Sequence, residues 1–275
     1  MHADRFGSVA VAATVVIMFL VMGVVIPMFE SVSASYQAAA VAAGVLGSMA
    51  LYRGIASLLF AAFQKNLRFR KFVLGPEFLE GTWVGFFSHG DSCHFTVEFF
   101  NQESGGTKIT GREIDSDGKT YASWNSDATS VSTEDRKLLY AYTCDLSGSA
   151  GKHQGIAVFS MVGSGKMSPP DVLDGYSCDL TDGKKNTNKE YKISDDCVDD
   201  HKALVQARLH QSLGGPLRDK ALLQGTGTRV YFVENGKRRW IINQNVLSKM
   251  GLSLSNVIRV SDEILEAVPK GKDIR

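Results

Sequence analysis

The chain has 275 residues, with 30 Lys and Arg against 29 Asp and Glu for a formal net charge of +1, and 44% of it is hydrophobic. That length allows one or two domains plus an anchor. The even charge balance, with no long basic run interleaved with aromatics, excludes a nucleic-acid-binding groove of the usual kind. The average hides three differently composed segments. Residues before Gln64 are almost uncharged, residues 80–198 carry 11 Lys and Arg against 18 Asp and Glu, and residues 199–275 carry 13 against 8.

Between Arg5 and Glu30 lie 24 residues without a charge, and about 20 apolar residues cross a bilayer core. This stretch exceeds the apolar core of a signal peptide, and a second apolar stretch follows at once, from Ser31 to Tyr52 and on past Arg53. Two transmembrane helices are expected, over 7–29 and 34–60, within an anchor spanning residues 1–63. Lys65, Arg68, Arg70 and Lys71 follow the second helix. Positive residues stay on the cytoplasmic side, so both termini are expected to face the cytoplasm and 64–79 to form a basic hinge. In the second helix Ala40, Gly44 and Ser48 are spaced four apart, as are Ala39, Ala43 and Gly47. Small residues at that spacing let helix backbones approach closely, either against the first helix or against a second copy. Arg53 marks the cytoplasmic interface, where its side chain can snorkel.

From residue 80 the pattern changes to short runs rich in aromatic and β-branched residues, separated by Gly, Asp, Ser and Asn. Strands are expected at 82–87, 94–100, 108–113, 121–125, 138–144, 154–160, 172–178 and 190–194, with hairpin turns at 103–106, 115–118 and 181–184. Eight short strands with no long helix between them predict an antiparallel, lipocalin-like up-and-down barrel over 80–198. Its interior would hold one small ligand; a sandwich is the alternative. The four cysteines, Cys93, Cys144, Cys178 and Cys197, form no CxxC pair. In a reducing compartment they are expected to be free thiols.

Catalytic and metal signatures are not complete. The Gly-Ser-Gly-Lys-Met run at 163–167 lacks the earlier glycine and the Ser/Thr of a phosphate loop. The Asp-Ser-Asp-Gly run at 115–118 lacks the distal Glu of a calcium loop, since position 126 is Ser126. Cys197 and His201 would need partners from Cys93, His94 or Cys178 to bind zinc. No catalytic residue, metal or cofactor is therefore expected. Beyond the barrel, residues 199–224 are expected to be a linker containing an amphipathic helix at 200–213, ended by the glycines at 214–215. Residues 225–275 are expected to be a small module with an Asn-Gly hairpin at 230–241, a helix at 244–250 and a strand at 257–260.

The Leu-Glu-Gly-Thr-Trp-Val-Gly run at 79–85, directly behind two helices and a basic hinge, resembles the two-transmembrane β-barrel effectors of CBASS, the antiphage signalling systems built around CD-NTases. The resemblance extends to about Ser194 through the 109–111 strand, Trp124, the 138–142 strand and the Asp-Gly-Tyr at 174–176. It implies a cytoplasmic barrel that responds to a cyclic oligonucleotide, self-associates, and disrupts the inner membrane through its helices. The module at 225–275 resembles one repeated in bacterial surface and envelope proteins, whose strands begin with a similar Glu-Asn-Gly-Lys-Arg-Arg hairpin. For a nucleotide in the barrel, Arg112 is the expected phosphate contact, since a guanidinium suits a phosphate better than an ammonium. Trp124, Tyr140 and Tyr142 are the expected stacking surfaces. The runner-up function is a membrane-anchored binding protein or sensor without killing activity.

Overall fold

A computed structural model of the chain describes residues 2–29, 36–89, 92–103, 105–115, 119–132, 134–148, 151–165, 167–181, 183–214, 217 and 220–274. They cluster into two compact units. One comprises residues 1–79 with the turns at 102–107 and 164–169, and the other comprises the remainder.

The first unit is helical, with α1 (His2–Phe29), α2 (Gln37–Lys65) and α3 (Leu67–Leu74). Windows of 18 residues in α1 and 20 in α2 are long and apolar enough to cross a membrane, and only 11% of each is buried. A helix that is apolar yet unburied needs an apolar surrounding to cover it. Val16, Phe19 and Leu20 of α1 and Leu46, Met49 and Leu58 of α2 all point outward. Of the small-residue stripe, Ser48 is half-buried on α2, while the side chains of Ala40 and Gly44 lie outside the described residues.

The expected basic hinge is a helix. Asn66 ends α2 and caps α3, its side chain accepting from the Phe69 N–H at 3.1 Å. The Arg70 guanidinium donates to the Phe63 carbonyl at 2.9 Å and to that of Gln64, filling acceptors that a helix C-terminus leaves open. Phe63, Val73, Leu74 and Phe78 form a small core there with Val9, Leu67 and Phe69. Gly75, at φ 53, and Pro76 then stop the helix.

The second unit begins with the expected barrel. Its strands are β1 (Gly81–His89), β2 (Ser92–Glu103), β3 (Gly106–Ile114), β4 (Thr120–Ser132), β5 (Lys137–Leu146), β6 (Lys152–Val162), β7 (Val172–Asp179) and β8 (Lys185–Ser194). All neighbours are antiparallel, and β1 pairs with β8, so the sheet is closed and the sandwich alternative is excluded. β4 is longer than expected because a bulge between Ser126 and Ala128 breaks its alternation in mid-strand. β8 starts earlier than expected, since pairing to β7 recruits the polar 185–189 run despite its low strand propensity.

The stretch expected as a linker is part of the core. α4 (Asp200–Leu213) starts at an Asp199 cap that accepts from the Lys202 N–H at 2.9 Å, and it ends at Gly214 in the left-handed conformation. Ala203, Leu204 and Ala207 pack on Val84, Phe95, Val97 and Ile114, on the outer face of the barrel. Leu209 packs instead into the C-terminal module. That module holds β9 (Leu222–Gln224), β10 (Val230–Glu234), β11 (Lys237–Trp240) and β12 (Val257–Arg259) in the order β11-β10-β9-β12, with α5 (Gln244–Lys249) and α6 (Asp262–Ala267). Alternation sends Leu223 and Val233 toward α4 and α6 and Leu222 and Phe232 toward α5. At the hairpin tip Asn235 and Gly236 have φ 53 and 67, the type I′ geometry that an Asn-Gly pair favours. Its arginines have partners: Arg239 pairs with Glu234, and Arg238 lies over the Tyr231 ring at 5.3 Å.

Candidate functional site: a carboxyl pair inside the barrel

Alternation along each strand sorts the barrel interior into three levels. At the end where β1 begins, Trp83, Phe100, Ile109, Leu138, Met161 and Leu173 are almost fully buried and form an apolar plug. At the other end lie half-buried or exposed residues such as Leu146, His153, Asp179 and Asn186. Between them is a cavity of about 160 Å³, the liquid volume of roughly five waters.

Trp124, Tyr140 and Tyr142, the expected stacking residues, all line this cavity. Ring centroids are 6.5 Å apart for Trp124 and Tyr142 and 6.0 Å for Tyr140 and Tyr142. Glycines on neighbouring strands make room for them. Gly111 sits opposite Trp124, where a Cβ would come within 2.2 Å of the indole, and Gly155 sits opposite Tyr142, where a Cβ would come within 2.3 Å of the phenol.

Arg112 is a correction. Ile109 and Gly111 point inward, so Arg112 points out, where it is half-exposed and pairs with Asp200 at the start of α4. It does not line the cavity. The zinc candidates are scattered, and no group of His, Cys, Asp or Glu among the described residues has metal-ligand geometry. Cys144, Cys178 and Cys197 are free, and Cys93 has its side chain outside the described residues.

The sequence reading missed the residues at the centre. Glu98 on β2 and Glu190 on β8 are each 1% exposed, and both face the cavity. Glu98 Oε1 accepts from Trp124 Nε1 at 2.9 Å and from the Tyr140 hydroxyl at 2.6 Å. Glu190 Oε1 accepts from Asn188 Nδ2 at 2.7 Å. The two carboxyl groups titrate as a linked pair, and the repulsion between them is relieved when they share one proton. Burial pushes Glu190 well above the usual carboxyl range, and the charge of Glu98 pushes it further. Burial raises Glu98 as well, opposed by its bonds to Glu190, Tyr140 and Trp124. Burial therefore favours a protonated carboxyl at both residues, with the stronger push on Glu190. The same burial, followed by the Glu98 charge, drives the Tyr140 phenol far up, so it stays a donor. Apart from the shared proton, Glu98 Oε2 and Glu190 Oε2 meet no donor, nor does Asn188 Oδ1.

Comparison with known proteins finds no matching family model, no similar curated protein and no similar solved structure. The chemistry of the cavity is its own guide. Among the described residues, the lining holds four carboxyl-bearing residues, Glu98, Glu113, Asp179 and Glu190, and one imidazole, His153, with no Lys or Arg. Glu113 is matched by His94 at 2.7 Å and Asp179 by His153 at 3.5 Å. The carboxyl pair meets no cation among the described residues.

That pair carries a pH dependence. A carboxyl whose folded pKa lies above its ordinary 4.5 favours the folded state fully below that value. The contribution is lost as the pH climbs through the raised pKa. Glu190→Gln supplies a non-titrating N–H to Glu98 and keeps the acceptor for Asn188. Its melting temperature is expected to exceed that of the parent at pH 8, by the equivalent of about 1–2 kcal/mol, with the gap closing toward pH 4.5. Thermal unfolding of both proteins across that range is the check, and a constant gap would refute the shared proton.

Proposed function

We propose that the chain is a membrane-anchored effector of antiphage signalling whose barrel responds to a cyclic oligonucleotide made by a partner CD-NTase. Self-association of the barrels then lets α1 and α2 disrupt the inner membrane. The observation that supports this most directly is an eight-stranded barrel, plugged at one end and reached from the other, following two apolar helices and lined by Trp124, Tyr140 and Tyr142. Bases stack on such rings for roughly 1–3 kcal/mol each. The cavity, at about 160 Å³, is smaller than the roughly 300–1,000 Å³ that encloses a drug-sized molecule. It holds one base, leaving the sugars and phosphates at the mouth. The positive residues after α2 argue for both termini in the cytoplasm.

Titration calorimetry of the full-length protein in detergent, against a panel of cyclic di- and trinucleotides, tests this reading. Binding is expected for at least one of them, and Trp124→Ala is expected to weaken it tenfold or more. Growth arrest on expression is expected only when both helices are present. The acidic lining favours a second reading, an anchored sensor of a small, phosphate-free ligand. Absence of binding to every cyclic nucleotide, with harmless expression, would leave that one standing.

A further inference from the structure

We propose that the Glu98–Glu190 pair reads the N–H edge of a planar ring, so that the ligand enters the barrel with its hydrogen-bond donors first. Where that ring is a base of a cyclic oligonucleotide, the inference rests on the function proposed above; the donor chemistry does not. Four features converge on it. The cavity wall has a surplus of acceptors, because Glu98 Oε2, Glu190 Oε2 and Asn188 Oδ1 meet no protein donor. Two of its donors, the Trp124 indole and the Tyr140 hydroxyl, both serve Glu98, and the Thr96 hydroxyl is one unpartnered donor against those three acceptors. Its charge is negative without a cation in the lining, and a buried charge calls for a partner. Three aromatic side chains line it, tilted 52° and 55° to one another, and offer ring faces on which a flat group can lie.

An anionic group is repelled by that arrangement, so phosphates stay at the mouth, where Lys119, Lys152 and Lys185 stand on the hairpins beside Asp115 and Asp145. Guanine, with an imino N–H beside an amino group, offers two adjacent donors for the open oxygens of Glu98 and Glu190, and a bond to a charged acceptor is a strong one. Adenine offers an amino group beside a ring acceptor, which suits the protonated member of the pair. Uracil flanks its single N–H with carbonyl oxygens and fits worst.

The experiment uses full-length protein in detergent, with tryptophan fluorescence and melting temperature as readouts. The probes are benzamidine, benzoate, and cyclic dinucleotides bearing two guanines or two uracils. Benzamidine and benzoate share a shape, but one presents donors and the other acceptors. Benzamidine is expected to quench the fluorescence and raise the melting temperature, and benzoate to do neither. The guanine dinucleotide is expected to bind at least tenfold tighter than the uracil one. Glu98→Gln and Glu190→Gln should each weaken benzamidine binding tenfold or more, and the second variant keeps every bond that the fold needs. Benzamidine binding with no cyclic dinucleotide binding would sustain this inference while removing the nucleotide function. Dinucleotide binding that ignores the base and both substitutions would overturn it and leave the function intact. Binding by neither benzamidine nor the guanine dinucleotide would also overturn it.

Discussion

Gly111→Ala is expected to abolish ligand binding and to destabilise the barrel by about 3 kcal/mol. A Cβ at position 111 would lie 2.2 Å from the indole of Trp124, which faces it across β3 and β4. The ring must move, and with it goes the Nε1–H bond to Glu98. Overpacking a filled interior costs roughly 1–3 kcal/mol, and a lost bond to a buried charge costs roughly 1.5–3 kcal/mol more. The comparison is Thr110→Ala, next along β3 but with its side chain on the opposite face, which should be close to neutral. Thermal unfolding with calorimetry checks both parts. A Gly111→Ala protein that melts with the parent and binds normally would mean that the indole has somewhere else to go.

Glu98→Leu is expected to cost about 2–4 kcal/mol, opposite in sign to Glu190→Gln. Leucine fills the space but gives the Trp124 Nε1–H and Tyr140 hydroxyl no acceptor. Each stranded buried donor costs about 1–3 kcal/mol. Relief of the carboxyl repulsion returns part of that, because Glu190 no longer faces a negative neighbour. Two residues that share one proton therefore differ in role: Glu98 organises the donors around it, and Glu190 is held in a state the fold would improve without. That pattern belongs to a site kept for binding rather than for stability. Equal and opposite stability shifts in the two single variants, cancelling in the double, would show that they act independently.

The sequence made the barrel legible because seven of its eight strands alternate or carry β-branched and aromatic residues in short, turn-bounded runs. It also placed Tyr140 and Tyr142 on one face by parity alone. It could not say which face was inside. On β2 the set Phe95, Val97 and Phe99 is as apolar as an inward set should be. Those side chains in fact lie on the outer surface, covered by Ala203, Leu204 and Ala207 of α4. The opposite set, His94, Thr96 and Glu98, is polar, so Glu98 reads as part of a solvated face instead of the polar centre of the interior. Glu190 opens the strand expected at 190–194, directly after a run of Asn and Lys, and it becomes interior only through pairing with β1 and β7. Arg112 was misplaced by a single step of the same alternation. The signal that would have found the site was a pair of glycines, Gly111 and Gly155, opposite large rings, but recognising them requires the strand register. α3 was hidden for a different reason: it is a short helix set by the Asn66 cap on its own first turn and by an Arg70 clamp on the last turn of α2.

Closure of the barrel has a consequence for the order in which the chain is made. The Thr82 hydroxyl bonds to the Asp196 carbonyl, 114 residues further on, and β1 finds its second neighbour only when β8 is present. Contacts so distant in sequence form slowly, because the loop between them must be ordered first. Translation releases the amino-terminal end first, at roughly 5–20 residues per second. Both apolar helices therefore leave the ribosome seconds before the last strand exists. Whatever receives α1 and α2 does so while the barrel is still an open, incomplete sheet, and the cavity comes into being only after those two helices have been delivered.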